Sequence, residues 1–321
     1  MIDMLAQSFV RYALLASVLA GGASAYLGVY VLLRRIVFVG IALAQIATLG
    51  VAVGHILGLH GAEAAFGMSL VGVTFFAAQR DSGRIPRESA IGVAYAAASA
   101  LTILCVSKSP LGELDALSLI FGNVLGVTEV QLYMLAALVA ALTLLHTLFY
   151  KEFLFTAFDS GMAETMGYRI QRWEFAFYLI LGIVFSFSVS VVGVLVIFSY
   201  LVIPATAALV LDVGMTAAFA VAILVAAIGG AGGVVLSYQY DLPTGPTIVA
   251  ALTVVLCGCW LSRRLRRLRF TGKRGGIGSS PVSPPRTPDN QRVNDGGNRS
   301  SAKWGTARRA FLADLDNKGQ S

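Results

Sequence analysis

From residue 8 to residue 262 the chain is almost unbroken apolar sequence, cut by short charged punctuation and by one polar island at Lys151–Trp173, KEFLFTAFDSGMAETMGYRIQRW. A helix needs about 20 apolar residues to cross the hydrocarbon core of a bilayer. Stretches of that order lie near 8–33, 36–58, 62–79, 88–107, 128–150, 174–192, 194–211, 214–237 and 246–262. Lipid offers no water to bond backbone amides, so such a chain must satisfy them within helices. The expected fold is an all-α integral membrane protein, a polytopic helical bundle of about nine transmembrane helices, with eight the other count the sequence permits. Apolar residues at 57% and charged residues at 13% agree with that class, because soluble chains hold about half and about a quarter.

Basic residues set an orientation. They gather at Arg34 and Arg35, at Arg80, Arg84 and Arg87, at Lys151, Arg169 and Arg172, and from Arg263 onward. If all four groups are cytoplasmic, the N-terminus lies outside and the C-terminus inside. Between Arg172 and Arg263 there is no Lys or Arg, so parity asks for an even number of spans there and charge does not choose between two and four. The segment 109–127 reads as an outer re-entrant or surface piece. The first apolar block is long and runs directly into Arg34, which predicts a retained span and no cleaved signal peptide. No sequence repeat relates the two halves.

Of the 24 Lys/Arg and 17 Asp/Glu in the chain, fourteen and four lie from residue 263 on, so the net charge of +7 belongs to the C-terminal end. Residues 1–265 are therefore expected to form the membrane domain, with 151–173 as its cytoplasmic docking segment. Residues 266–321 are expected to be a basic, solvated cytoplasmic tail. Its opening Arg run suits anionic membrane lipid, and no nucleic acid is expected. Cys105, Cys257 and Cys259 fall in apolar stretches and read as packing residues.

Polar chemistry is scarce. His146 lies near the inner end of a span and reads as a capping or snorkelling residue. His55, His60 and Glu63 gather at the outer end of the second span, an outer mouth able to meet a cation. No Ser-His-Asp order, HExxH or phosphate loop is present, so no catalytic residue and no bound cofactor is expected, and any ATP must be used by a partner subunit. Within the island, Asp159 through Gly167 reads as a short helix ended by glycine. Met162, Met166 and Glu164 belong to its docking surface, and the two methionines lie four apart on one face.

Five ordered blocks, RRIVFVGIALAQIATLGVAVG, IFGNVLGVT, TAFDSGMAETMGYRIQRW, VGVLVIFSYLVIPATAALVL and YDLPTGPTIV, resemble the transmembrane permease subunits of zinc and manganese ABC importers. The resemblance covers about residues 8–265. It implies a homodimeric permease, an ABC ATPase subunit bound at each 156–173 segment, and an extracytoplasmic metal-binding protein docked outside. Such permeases commonly place a carboxylate and, four residues later, a histidine on the second span. Here Ile41 and Gln45 stand at those positions, with Thr48 beside them. In the fourth span Tyr95 and Ala96 stand where a histidine is common. Pro204 is expected to break a short span near Ser199 and Thr206, and Asp241 reads as a turn residue.

Ile41, Gln45, Thr48, Ser199 and Thr206 are thus the candidate translocation path, and no metal is specified. The function implied is the permease of an ATP-driven divalent-metal importer, not itself an enzyme, in the cell's inner membrane. The alternatives are a secondary transporter, which the shortage of intramembrane carboxylates disfavours, and a transport-inactive scaffold acting through the basic tail.

Overall fold

The structure, a computed structural model, describes residues 7–59, 61–79, 87–108, 124–158 and 160–274. Two compact units divide the chain, Met1–Phe270 and Thr271–Ser321, and the bundle below is the first. Eleven α-helices follow one another among the described residues: α1 Ser8–Leu33, α2 Val37–Leu57, α3 Gly61–Ala78, α4 Arg87–Ser107, α5 Glu129–Leu148, α6 Tyr150–Phe158, α7 Ser160–Thr165, α8 Ile170–Val192, α9 Val194–Val210, α10 Met215–Tyr240 and α11 Thr244–Arg274. A single 3-10 turn at Val124–Gly126 precedes α5, and no strand occurs among the described residues.

Seven of these helices are long and apolar enough to cross a membrane, and residues 63–78 and 194–210 form shorter apolar helices. The expected segment 109–127 lies outside the described residues except at its end. Of the expected tail, 275–321 lies outside them too, while α11 carries helix through Arg274.

Local chemistry explains the ends. Thr128 caps α5 in a reciprocal box with Gln131, satisfying two amides that the first turn leaves unpaired. Gly58 ends α2 at φ 68°, a left-handed conformation that favours glycine. Asp241 ends α10 in the same region at φ 51°, which bears out its reading as a turn residue. The Ser237 hydroxyl donates to the Leu242 carbonyl at 2.6 Å, closing the α10–α11 hairpin.

Helix α1 is the hub, packed along its length by α9 and α10, while α2 packs against α3 and α4, and α8 against α3. The core is built by close approach of small residues. A Cβ added to Gly28 would collide with the Leu201 backbone carbonyl of α9. One at Gly230 would strike the Tyr200 hydroxyl, which shares a hydrogen bond with Ser17 of α1. Such approach replaces the hydrophobic drive that lipid removes.

Pro204 does not break its span. Helix α9 runs through it from Val194 to Val210, and the break falls earlier at Gly193, φ 92°. The proline removes only the one amide that would have bonded the Tyr200 carbonyl, and flanking helices hold the rest in place.

Candidate functional site

Three groups of residues carry the functional expectations, and the structure treats them differently. On α2, Gln45 is buried at 8% exposure, Thr48 is fully buried and Ile41 is half-buried. The Thr48 hydroxyl donates to the Ala44 carbonyl at 3.0 Å, so its hydrogen is spent within its own helix while its oxygen keeps lone pairs. On α9, Ser199 is buried and donates to Leu195 at 2.8 Å, and Thr206 is half-buried. The start of α2 meets the middle of α9, the Leu201 side chain filling the space that a Cβ on Gly40 would need. Uncharged oxygen donors are what this pair of helices offers: the Gln45 amide carbonyl and three hydroxyls.

At the other end of α2, His55 and Glu63 are both exposed and flank the turn into α3. A Cβ on Gly61 would stand 3.9 Å from the His55 Nε2, which places the ring against the start of α3. His60 lies outside the described residues. No three His, Cys, Asp or Glu side chains come together as a metal-holding group among the described residues.

The island is the best-formed of the three. Met162 of helix α7 and Met166 just past its end are 57% and 59% exposed, Glu164 is exposed as well, and Ala163 is buried. Gly167 adopts φ 86°, with its amide bonding the Glu164 carbonyl and the Tyr168 amide bonding the Ala163 carbonyl. This is the paired glycine stop expected of a helix C-terminus. Asp159 lies outside the described residues. The flanks of the island are helical as well: α6 holds its first third, and α8 begins at Ile170, so Arg172 and Trp173 ride on the next span.

Behind the island stands a cluster that sequence reasoning missed. His146 neither caps nor snorkels. It is 1% exposed, neither ring nitrogen has a hydrogen-bond partner, and aromatic rings surround it. Phe153 of α6 stacks on it at 4.6 Å between centroids, Tyr26 of α1 meets it edge-on at 5.2 Å, and Tyr30 lies at 5.5 Å. Phe219 of α10 closes on both tyrosines at 4.9 Å, and Trp173 of α8 lies 5.3 Å from Phe153.

Just beyond α1, Arg34 seals this cluster. Its guanidinium sits 4.6 Å over the Phe177 ring of α8 and donates to the Thr156 hydroxyl of α6 at 2.9 Å. Burial holds its pKa below the ordinary arginine value, and the Glu174 carboxylate opposes that shift. The group stays charged, as arginine does throughout the accessible range.

Comparisons with known proteins converge. The model of the ABC 3 transport family matches residues 6–262. The chain is 30% identical over 271 residues to the manganese transport system membrane protein MntC of Listeria monocytogenes, covering 83% of this chain and 95% of that protein. It is 27% identical over 266 residues to a probable iron transport system membrane protein of Haemophilus influenzae, covering 81% and 94%. The fold is similar to a chain of PsaBC from Streptococcus pneumoniae in complex with Fab, at a TM-score of 0.74 and 24% identity, over 84% of this chain and 98% of that one.

Proposed function

The chain belongs to the ABC 3 transport family, and on that premise we propose that it is the membrane permease of an ATP-driven importer of divalent metal ions, docked to its ATPase through α7. It is a multi-pass protein of the inner membrane. The observation that carries the docking is the exposed pair Met162 and Met166, in α7 and at its glycine-terminated end. Methionine is a flexible, polarizable surface that adapts to a partner groove. Nucleotide chemistry belongs to the partner, a metal-loaded extracytoplasmic protein supplies the cargo, and two copies of this chain enclose the path.

Nine crossings with the N-terminus outside account for the helices. Helices α8 to α11 then supply four crossings between Arg172 and Arg263, the even number that parity requires. The ion pair of Arg263 with Asp212, 3.2 Å apart, supports this by bringing the α9–α10 turn to the same end as the close of α11.

Ile41, Gln45, Thr48, Ser199 and Thr206 line the path in this reading. Their donors are oxygens, which suit a hard cation such as manganese better than zinc, and the relatives bearing manganese and iron names point the same way. His55 and Glu63 belong to the outer mouth. Replacing both Met162 and Met166 with Asp tests the docking. Buried in an interface, the two charges cost several kcal/mol, so the ATPase should cease to co-purify while the permease still inserts. Undiminished co-purification rejects α7 as the docking element. Uptake by vesicles holding the whole complex, compared across manganese, iron and zinc, tests the cargo; a preference for zinc overturns the oxygen-donor argument.

A further inference from the structure

The docking element is not attached to the bundle by the polypeptide alone. Between α7 and the spans stands α6, and α6 is gripped from two sides. Phe153 inserts its ring between His146 of α5 and Trp173 of α8, while Thr156 receives the Arg34 guanidinium at the end of α1.

The Thr156 hydroxyl is placed for two jobs. It donates to the Glu152 carbonyl at 2.8 Å within α6, which leaves its oxygen free to accept from Arg34. Arg34 in turn lies over Phe177, so one side chain contacts α6 and α8 from the end of α1. A planar guanidinium suits this combination, because it stacks on a ring through its face and donates through its edge. Thr156 is 5% exposed, so water does not substitute freely for the bond.

Helix α1 is the element that α9 and α10 pack along. A displacement of α6 therefore reaches the hydroxyl donors of α9 through one fixed contact and one buried helix. Packed interfaces of this kind hold discrete arrangements and pass on rigid displacements.

We propose that the Arg34–Thr156 contact, backed by the His146–Phe153 stack, is the joint that converts movement of the docked ATPase into movement of α1, and that Thr156 is a positioning residue for transport. This rests on the docking of an ATPase at α7.

The test uses the complete complex in vesicles, comparing Thr156→Val, which keeps shape and loses the hydroxyl, with Thr156→Ser, which keeps the hydroxyl. Three readouts are taken: ATPase co-purification, ATP hydrolysis, and manganese taken up per ATP hydrolysed. In Thr156→Val, co-purification and hydrolysis should stay near wild type while uptake per ATP falls about tenfold, the scale of one hydrogen bond to a charged group. Thr156→Ser should restore the ratio. Arg34→Gln should lower it at least as far.

An unchanged ratio in Thr156→Val overturns the joint. So does an equal loss in Thr156→Val and Thr156→Ser, which would mark a packing role. Loss of ATPase from Thr156→Val but not from wild type overturns it as well, making the contact a support for docking. Absence of ATPase from the wild-type preparation sinks the docking reading beneath it.

Discussion

Helix α1 meets its neighbours by two different means. At Ser17, Gly21 and Gly28 it lets Tyr200 and the α9 backbone come into contact where no side chain could stand between them. At Tyr26, Tyr30 and Arg34 it meets other helices through rings and one cation. Backbone contact through glycine leaves no side chain to repack, whereas rings and a guanidinium hold their neighbours through faces and edges of preferred geometry. The first region fixes helix separation, and the second ties α6 to α1 through side chains alone.

Four substitutions grade that contrast. Gly28→Ala should have the largest effect, because its Cβ meets a backbone carbonyl that cannot rotate away. Overpacking of this type costs about 1–3 kcal/mol, so unfolding of the detergent-solubilised protein should shift to markedly lower denaturant. Wild-type stability there would mean the close approach is slack. Phe153→Leu removes a stacked ring and should lose about 0.5–1.5 kcal/mol, with insertion intact. A loss as large as that of Gly28→Ala would erase the distinction between the two regions.

Tyr200→Phe keeps the ring packed against Gly21 and gives up the hydroxyl bond with Ser17. Hydrogen bonds between membrane helices average about 0.6 kcal/mol, and a stability loss well beyond that would make this knot more than packing. Gly92→Ala should cause no loss of stability. No atom lies within contact of its added Cβ, and alanine improves helix propensity by up to about 1 kcal/mol; a destabilised variant would place an unrecognised neighbour on that face.

The spans were legible in the sequence because hydropathy and charge need no knowledge of neighbours. Limits expected at 8–33 and 88–107 meet helices at Ser8–Leu33 and Arg87–Ser107. The glycine stop at Gly167 was legible for the same local reason. His146 was not, since two of the rings around it, Tyr26 and Tyr30, come from α1, far from it in the chain. A trace existed in aromatic pairs four residues apart, Tyr26 with Tyr30, Phe149 with Phe153, and Trp173 with Phe177. Each lies near a predicted cytoplasmic end, and together they mark rings facing one point. Pro204 misled because a proline inside a helix disturbs one amide, while tertiary packing decides whether the helix continues. The burial of Gln45, Thr48 and Ser199 was not legible either, because it is set by which helices pack against α2 and α9.

The bond between Ser17 and Tyr200 joins residues 183 positions apart, and that separation sets a schedule for biogenesis. At about 5–20 residues per second, the ribosome delivers Tyr200 some ten to forty seconds after Ser17. Throughout that interval α1 waits in lipid with its glycine face open, and the earlier helices cannot enclose it. A nascent chain halted before α9 leaves α1 without this partner, so closure of the bundle is deferred until α9 has been made. Quality control that inspects unfinished membrane proteins would find its longest opportunity in this delay.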